Sequence, residues 1–73
     1  MSIHDAKTKA VAAKIRKIRE GKNYSQDYLA AKLGISQNAY SKIELGYSNI
    51  TLSRLASISD ILEVDWVEII KSA

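Results

Sequence analysis

The stretch from Gln26 to Leu45, QDYLAAKLGISQNAYSKIEL, constrains this chain more than any other, because it holds two short helical patterns that meet at a single Leu33-Gly34-Ile35 corner. In the first pattern Leu29, Ala30 and Leu33 share one helical face. Gly34 follows, a residue that takes the left-handed conformation at little cost and so ends a helix cheaply. Ser36 opens the second pattern. Its hydroxyl is placed to accept from the free amides of the first turn, and Ala39, Tyr40 and Ile43 fall on one side at helical spacing. The other side carries Gln37, Asn38, Ser41 and Lys42, which at about 100° per residue span less than half the circumference. Two helices around a glycine corner make a helix-turn-helix, and the polar side of its second helix is a surface able to read something.

The rest of the chain supplies what that motif packs against. A length of 73 residues allows one domain with a modest core, since burial alone at this size seldom contributes more than ~3–5 kcal/mol. Residues 1–9 are polar and lack periodicity, which predicts a flexible arm or a helix start between Asp5 and Thr8, with His4 exposed and inert. Residues 10–73 are expected to form the folded domain. Val11, Ile15 and Ile18 recur at i, i+4 and i+7 with Lys14, Lys17 and Glu20 outward, predicting a first helix that Gly21 ends. Ser25 caps the second helix and Asp27 sits favourably in its first turn.

After the third helix Gly46 provides the stop, 47–50 form a loop, and Thr51 caps a fourth helix. Leu52, Leu55, Ile58 and Leu62 form its apolar stripe, with Arg54, Ser57 and Asp60 outside and an end near Glu63. Asp65 caps a short last segment in which Trp66, Val67, Ile69 and Ile70 carry more apolar surface than one short helix usually buries. Two readings stay open: Trp66 and Ile69 close the core, or Trp66, Val67 and Ile70 meet a second subunit.

Several function classes are excluded on composition. With no cysteine and a single histidine there is no disulfide framework, thiolate metal site or ligand cluster, so no metal and no cofactor are expected. Scattered acids without a polarised nucleophile or a paired carboxylate site argue against an enzyme. No apolar run approaches the roughly 20 residues that span a bilayer, and the polar start lacks the core of a signal peptide, so a cytoplasmic location without membrane contact is expected. The net charge is only +3, but residues 1–42 carry nine Lys and Arg against three Asp and Glu, and residues 43–73 carry two against five. A polyanion would be steered to the first half, which contains the polar helix face. Ordinary solvated helix surface accounts for the same asymmetry, so it serves as support only.

The window from Gln26 to Leu45, together with IRKIRE before it, YSKIELG at its end and LEVDW near the C-terminus, resembles the lambda-repressor and Cro-type, or XRE-type, helix-turn-helix domain from Val11 to about Val67. The resemblance implies an all-α, five-helix lambda-repressor-like domain that binds double-stranded DNA. In such domains the third helix enters the major groove and the second lies across the phosphate backbone. It further implies that Gln37, Asn38, Ser41 and Lys42 contact bases and that Gln26 contacts phosphate and braces the first reading residue. Ser25 and the loop residues Tyr47, Ser48 and Asn49 also fall at phosphate-contacting positions. Arg19 and Glu44 match a partly buried ion pair tying helix one to helix three.

The chemistry suits this independently, because glutamine and asparagine can bond adenine N6 and N7, and lysine can donate to guanine O6 and N7. Without the motif around them, Gln37 and Asn38 would be ordinary helix-surface amides. Glu44 with Ser41 also has capping-box spacing, but Ser41 lies too deep in the helical pattern for that role.

The sequence departs from the family at Tyr40, where a valine or isoleucine is usual. The ring is expected in the core with its hydroxyl reaching the edge. Ile50-Thr51 replaces the common proline-serine start of helix four. Leu45 replaces a polar residue, either as an incidental surface leucine or to touch a thymine methyl. The resulting expectation is a homodimeric transcriptional regulator, a repressor on a two-fold symmetric operator, with no small-molecule ligand evident. The alternative is an antitoxin or protein-interaction module that grips a partner through its C-terminal helix. An extended partner-binding tail would favour the alternative, and the sequence ends at Ala73 without one.

Overall fold

The computed structural model describes residues 3–71, with side chains placed from Ala6 onward. The reading of His4 as exposed and inert lies outside the described side chains, and Met1, Ser2, Ser72 and Ala73 lie outside the described residues. Among the described residues five helices follow one another: α1 (Ile3–Gly21), α2 (Gln26–Leu33), α3 (Gln37–Glu44), α4 (Leu52–Leu62) and α5 (Trp66–Lys71). The fold is all-helical. α3 packs against α1 and α2, α4 lies against α2, and α5 closes onto α1 and α4. No helix among the described residues is long and apolar enough to cross a membrane.

Helix boundaries follow from local chemistry. Ser25, Ser36 and Thr51 cap α2, α3 and α4, their hydroxyls accepting from the amides of Tyr28 (3.0 Å), Ala39 (3.0 Å) and Arg54 (3.1 Å). Each such cap contributes about 1 kcal/mol. Asp65 does the same for α5, its carboxylate accepting from the Val67 amide at 3.0 Å. At the α2–α3 corner Gly34 is left-handed (φ 72°), and the Ile35 amide reaches back to the Ala30 carbonyl at 3.0 Å.

Gly46 is required twice over. Its φ is 76°, and a Cβ there would come within 2.8 Å of Lys9 Cγ and 3.2 Å of Lys9 Cα, so the end of α3 sits directly on α1.

α1 begins at Ile3, ahead of the Asp5–Thr8 window, and ends at Gly21 as expected, but Gly21 is not the left-handed residue that stops it. Gly21 is helical, and a Cβ there would meet nothing within 4 Å. The left-handed residue is Asn23 (φ 62°), after which the Tyr24 amide bonds the Arg19 carbonyl at 3.2 Å. Asparagine tolerates this conformation because its short polar side chain can bond locally. Glu63 (φ 58°) closes α4 in the same way, with the Val64 amide on the Ser59 carbonyl at 3.0 Å.

The core draws on every helix: Val11, Ala12 and Ile15 from α1, Leu29 and Ala30 from α2, Tyr40 and Ile43 from α3, Leu55, Ile58 and Leu62 from α4, and Ile69 from α5. Two residues expected inside are outside. Ala39 is exposed because the inward stripe of α3 is Tyr40, Ile43 and Glu44, and the large Tyr40 ring occupies its centre. Leu52 is 63% exposed, since as the first residue of α4 it borders an open hollow with Ile70 rather than lying under another helix.

Candidate functional site

The buried flank of α3 is fixed by a chain of polar groups. Arg19 Nε donates to Glu44 Oε2 at 2.7 Å, Nη2 donates to Oε1 at 3.1 Å, and Nη1 donates to the Tyr24 carbonyl at 2.8 Å. The fork geometry uses both carboxylate oxygens, the strongest arrangement open to such a pair. Gln26 Nε2 then donates to Glu44 Oε1 at 3.1 Å, and Gln37 Nε2 donates to Gln26 Oε1 at 3.3 Å. An unbroken path therefore runs from α1 through the end of α3 and the start of α2 to the first residue of α3.

Charge states follow from these contacts. Burial alone would push the Glu44 carboxyl up, but the bonds from Arg19 and Gln26 and the Arg19 charge outweigh it and hold the carboxyl below its ordinary value. The bond to Glu44 raises Arg19 in turn, so both partners stay ionised. Burial, reinforced by the neighbouring Glu44 carboxylate, pushes the Tyr40 hydroxyl up, and it stays neutral. This hydroxyl does not reach the edge as expected. It is buried beside Glu44 without hydrogen-bond geometry to any described residue, because a tyrosine centred on the inward face of α3 is fully enclosed.

The opposite flank of α3 is open. Gln37, Asn38 and Lys42 are exposed and Ser41 is half-buried between them and the core. Leu45 is exposed beside Lys42. Glu44 is the one acid on α3, and it faces inward. Gln26 is half-buried, and Ser25 is exposed with its oxygen engaged in the α2 cap. Tyr47, Ser48 and Asn49 are all exposed in the α3–α4 loop.

On the far side of α3 from Gln26, a hollow of about 290 Å³ opens between Ala39, the loop residues Ser48 and Asn49, and Arg54. Periodicity places Arg54 outside, yet it is half-buried there. Trp66 and Val67 are 39% and 41% exposed, whereas Ile69 is buried and Ile70 half-buried, so α5 closes the core with Ile69 while Trp66 lies at its edge, more covered than exposed. Among side chains placed from Ala6 onward, no group of three His, Cys, Asp or Glu is arranged to hold a metal.

Residues 15–69 match the helix-turn-helix family. The chain belongs to that family. One helix-turn-helix relative, the SPbeta prophage-derived uncharacterized HTH-type transcriptional regulator YonR of Bacillus subtilis (strain 168), is 39% identical over 51 residues, covering 70% of this chain and 47% of that protein. The chain thus spans about half the length of the curated relative it matches. Among solved structures, the clp gene regulator ClgR from C. glutamicum superposes with a TM-score of 0.86 over 90% of this chain and 86% of that one at 23% identity, a likeness of fold. Both of these proteins are named as regulators.

Proposed function

We propose that the chain is a sequence-specific, double-stranded DNA-binding transcriptional regulator that acts as a repressor by occupying a two-fold symmetric operator as a homodimer. The observation that carries this reading is the two-sided character of α3: one flank anchored by the Arg19–Glu44–Gln26–Gln37 chain, the other presenting Gln37, Asn38 and Lys42 to solvent without an exposed acid. A helix held this way can enter a major groove without rearranging, and amide and ammonium groups match the donor and acceptor pattern of base edges there. Ser41 contributes from the inner edge of the same face.

Gln26 and Ser25 lie where a backbone phosphate would cross α2. Gln26 keeps a second amide hydrogen beyond the one given to Glu44, and the Ser25 hydroxyl can donate while its oxygen accepts from Tyr28. Tyr47, Ser48 and Asn49 serve a phosphate from the loop. Trp66, Val67 and Ile70 form the dimer contact, since a symmetric operator needs a self-complementary patch outside the reading helix. Repression requires only occupancy, which a binding domain alone supplies.

Selection from a random duplex library tests the reading. Enrichment of a symmetric site with half-sites about 34–36 Å apart is expected. Failure to enrich any site would contradict it. The exposed Trp66 and Val67 favour the second reading, a module that grips a partner protein through α5, and a dimer that persists without DNA selectivity would point there.

A further inference from the structure

We infer that the hollow between α2 and the end of α4, lined by Tyr24 and Tyr28 on one side and by Asp60 and Glu63 on the other, is a docking site for an arginine side chain of a protein partner. The site stands apart from the DNA-binding reading and holds or falls without it.

The first support is an aromatic platform. The hollow measures about 340 Å³ and is lined by Tyr24, Tyr28, Lys32, Asp60, Ile61 and Glu63. The two tyrosine rings lie 4.7 Å apart at 43° to one another, with Tyr28 exposed and Tyr24 half-buried. Lys32 Nζ stands 5.7 Å from the centre of the Tyr28 ring, so the platform already attracts a cation of the chain itself. That ammonium is on an exposed side chain with a flexible stem, and it yields readily to a planar guanidinium, which stacks on a ring and is more weakly hydrated.

The second is the charge across the hollow. Asp60 and Glu63 are both exposed, and among the described residues neither carboxylate has a hydrogen bond or ion pair. Two free carboxylates against one lysine leave the lining net negative, which repels a phosphate and fits a cation. A guanidinium stacks through its face while its edge donates to a carboxylate, whereas an ammonium does only one of these well. Ile61, half-buried between the two acids in sequence, offers apolar surface to the methylene stem of an arginine.

The third is the backbone of Glu63. Its φ of 58° is left-handed, a conformation that glycine takes without strain and glutamate does not. The turn itself needs only main chain, since the Glu63 and Val64 amides bond the Asp60 and Ser59 carbonyls. What glutamate adds there is a carboxylate on the hollow.

Position and depth select the occupant. Tyr28 lies about 200° around α2 from Gln26, and no residue of α3 or of the 47–50 loop lines the hollow, so it stays open while α3 is engaged. Each contact is weak at an exposed site, so a free guanidinium is held loosely and a polypeptide, which adds flanking contacts, is held better.

The test titrates the full chain with a blocked alanine peptide carrying one central arginine, following backbone amide shifts by NMR. Saturable shifts are expected at Tyr24, Tyr28, Lys32 and residues 60–63. A twin peptide with citrulline, which keeps the shape and loses the charge, should bind about tenfold more weakly. Glu63→Gly should melt no lower than the unsubstituted protein and yet bind the arginine peptide about threefold more weakly, a combination that a purely structural role for Glu63 does not produce. Tyr28→Leu, which keeps apolar bulk and removes the ring, should weaken the peptide similarly. The comparison of the two peptides on the unsubstituted protein gives a readout even if a variant folds poorly. Equal binding of the arginine and citrulline peptides, or shifts confined to other surfaces, overturns the site. Binding of acetylarginine amide as tight as that of the peptide makes the hollow a small-cation site and overturns the protein partner.

Discussion

At the corner where α2 meets α3, the polar side chains are held by one another, while Leu52 at the start of α4 and Trp66 and Val67 of α5 are apolar side chains partly open to solvent. Gln37 rests on Gln26, Gln26 on Glu44, and Glu44 on Arg19, so the surface of the corner is continuous with a buried ion pair. Leu52, Trp66 and Val67 protrude around a core closed by Ile69. The first surface has prepaid its ordering and suits a polar ligand with fixed geometry. The second exposes area that a partner would cover by simple burial, a less demanding contact that suits self-association. The surfaces proposed for reading and for assembly thereby fall on different elements.

The strongest way to break this comparison is to cut the buried chain at its root. Arg19→Ala leaves Glu44 ionised and enclosed, and should cost about 3–5 kcal/mol in denaturant melts. A loss under ~1 kcal/mol would mean that the pair behaves like a surface one and does not anchor α3. Acid titration sharpens the same point. The folded Glu44 carboxyl titrates below its ordinary value of 4.5, so its contribution is fully present above that pH and is lost as pH falls through the lower folded value. Glu44→Gln should start less stable at neutral pH and lack this part of the acid loss. Parallel acid profiles for the two proteins would show that Glu44 is not the group responsible.

The apolar end answers to a different experiment. Val67→Glu puts a charge on a half-exposed position that the folded protomer tolerates, so sedimentation should show loss of self-association with little change in the melt. A protein that is monomeric at high concentration before substitution would remove the dimer from the account. The smallest effect belongs to Arg16→Ala. Its bond to Glu20 is 3.3 Å long with both side chains more than half exposed, at 57% and 55%, and the loss should stay within about 0.5 kcal/mol.

Much of this architecture was legible because the signals were local. Ser25, Ser36, Thr51 and Asp65 announce helix starts through a single hydroxyl or carboxyl and the next few amides, and Gly34 announces the corner through its backbone freedom. Where two residues compete for one local role, the pattern misled: Gly21 drew attention from Asn23, two positions later, which takes the left-handed turn. Features that depend on other helices were harder. Periodicity alone placed Ala39 and Leu52 inside, because it cannot tell how much of the buried arc Tyr40 fills or that no helix lies over Leu52. Resemblance to a known family pointed to the contact of Gln26 with Gln37, 11 residues apart, but the bond from Gln26 to Glu44, 18 residues apart, had no sequence signal at all. The approach of Gly46 to Lys9 and the hollow at Arg54 carried no sequence signal of that kind.

The central claim is that α3 reads sequence while Gln26 positions it, and affinity for the selected duplex relative to a random duplex at one fixed salt concentration measures this directly. Gln37→Ala, Asn38→Ala and Lys42→Ala should lower that ratio by about 1–3 kcal/mol wherever the side chain makes a good bidentate contact, and Gln26→Ala should weaken both duplexes nearly alike. An unchanged ratio in all three α3 variants would contradict the account.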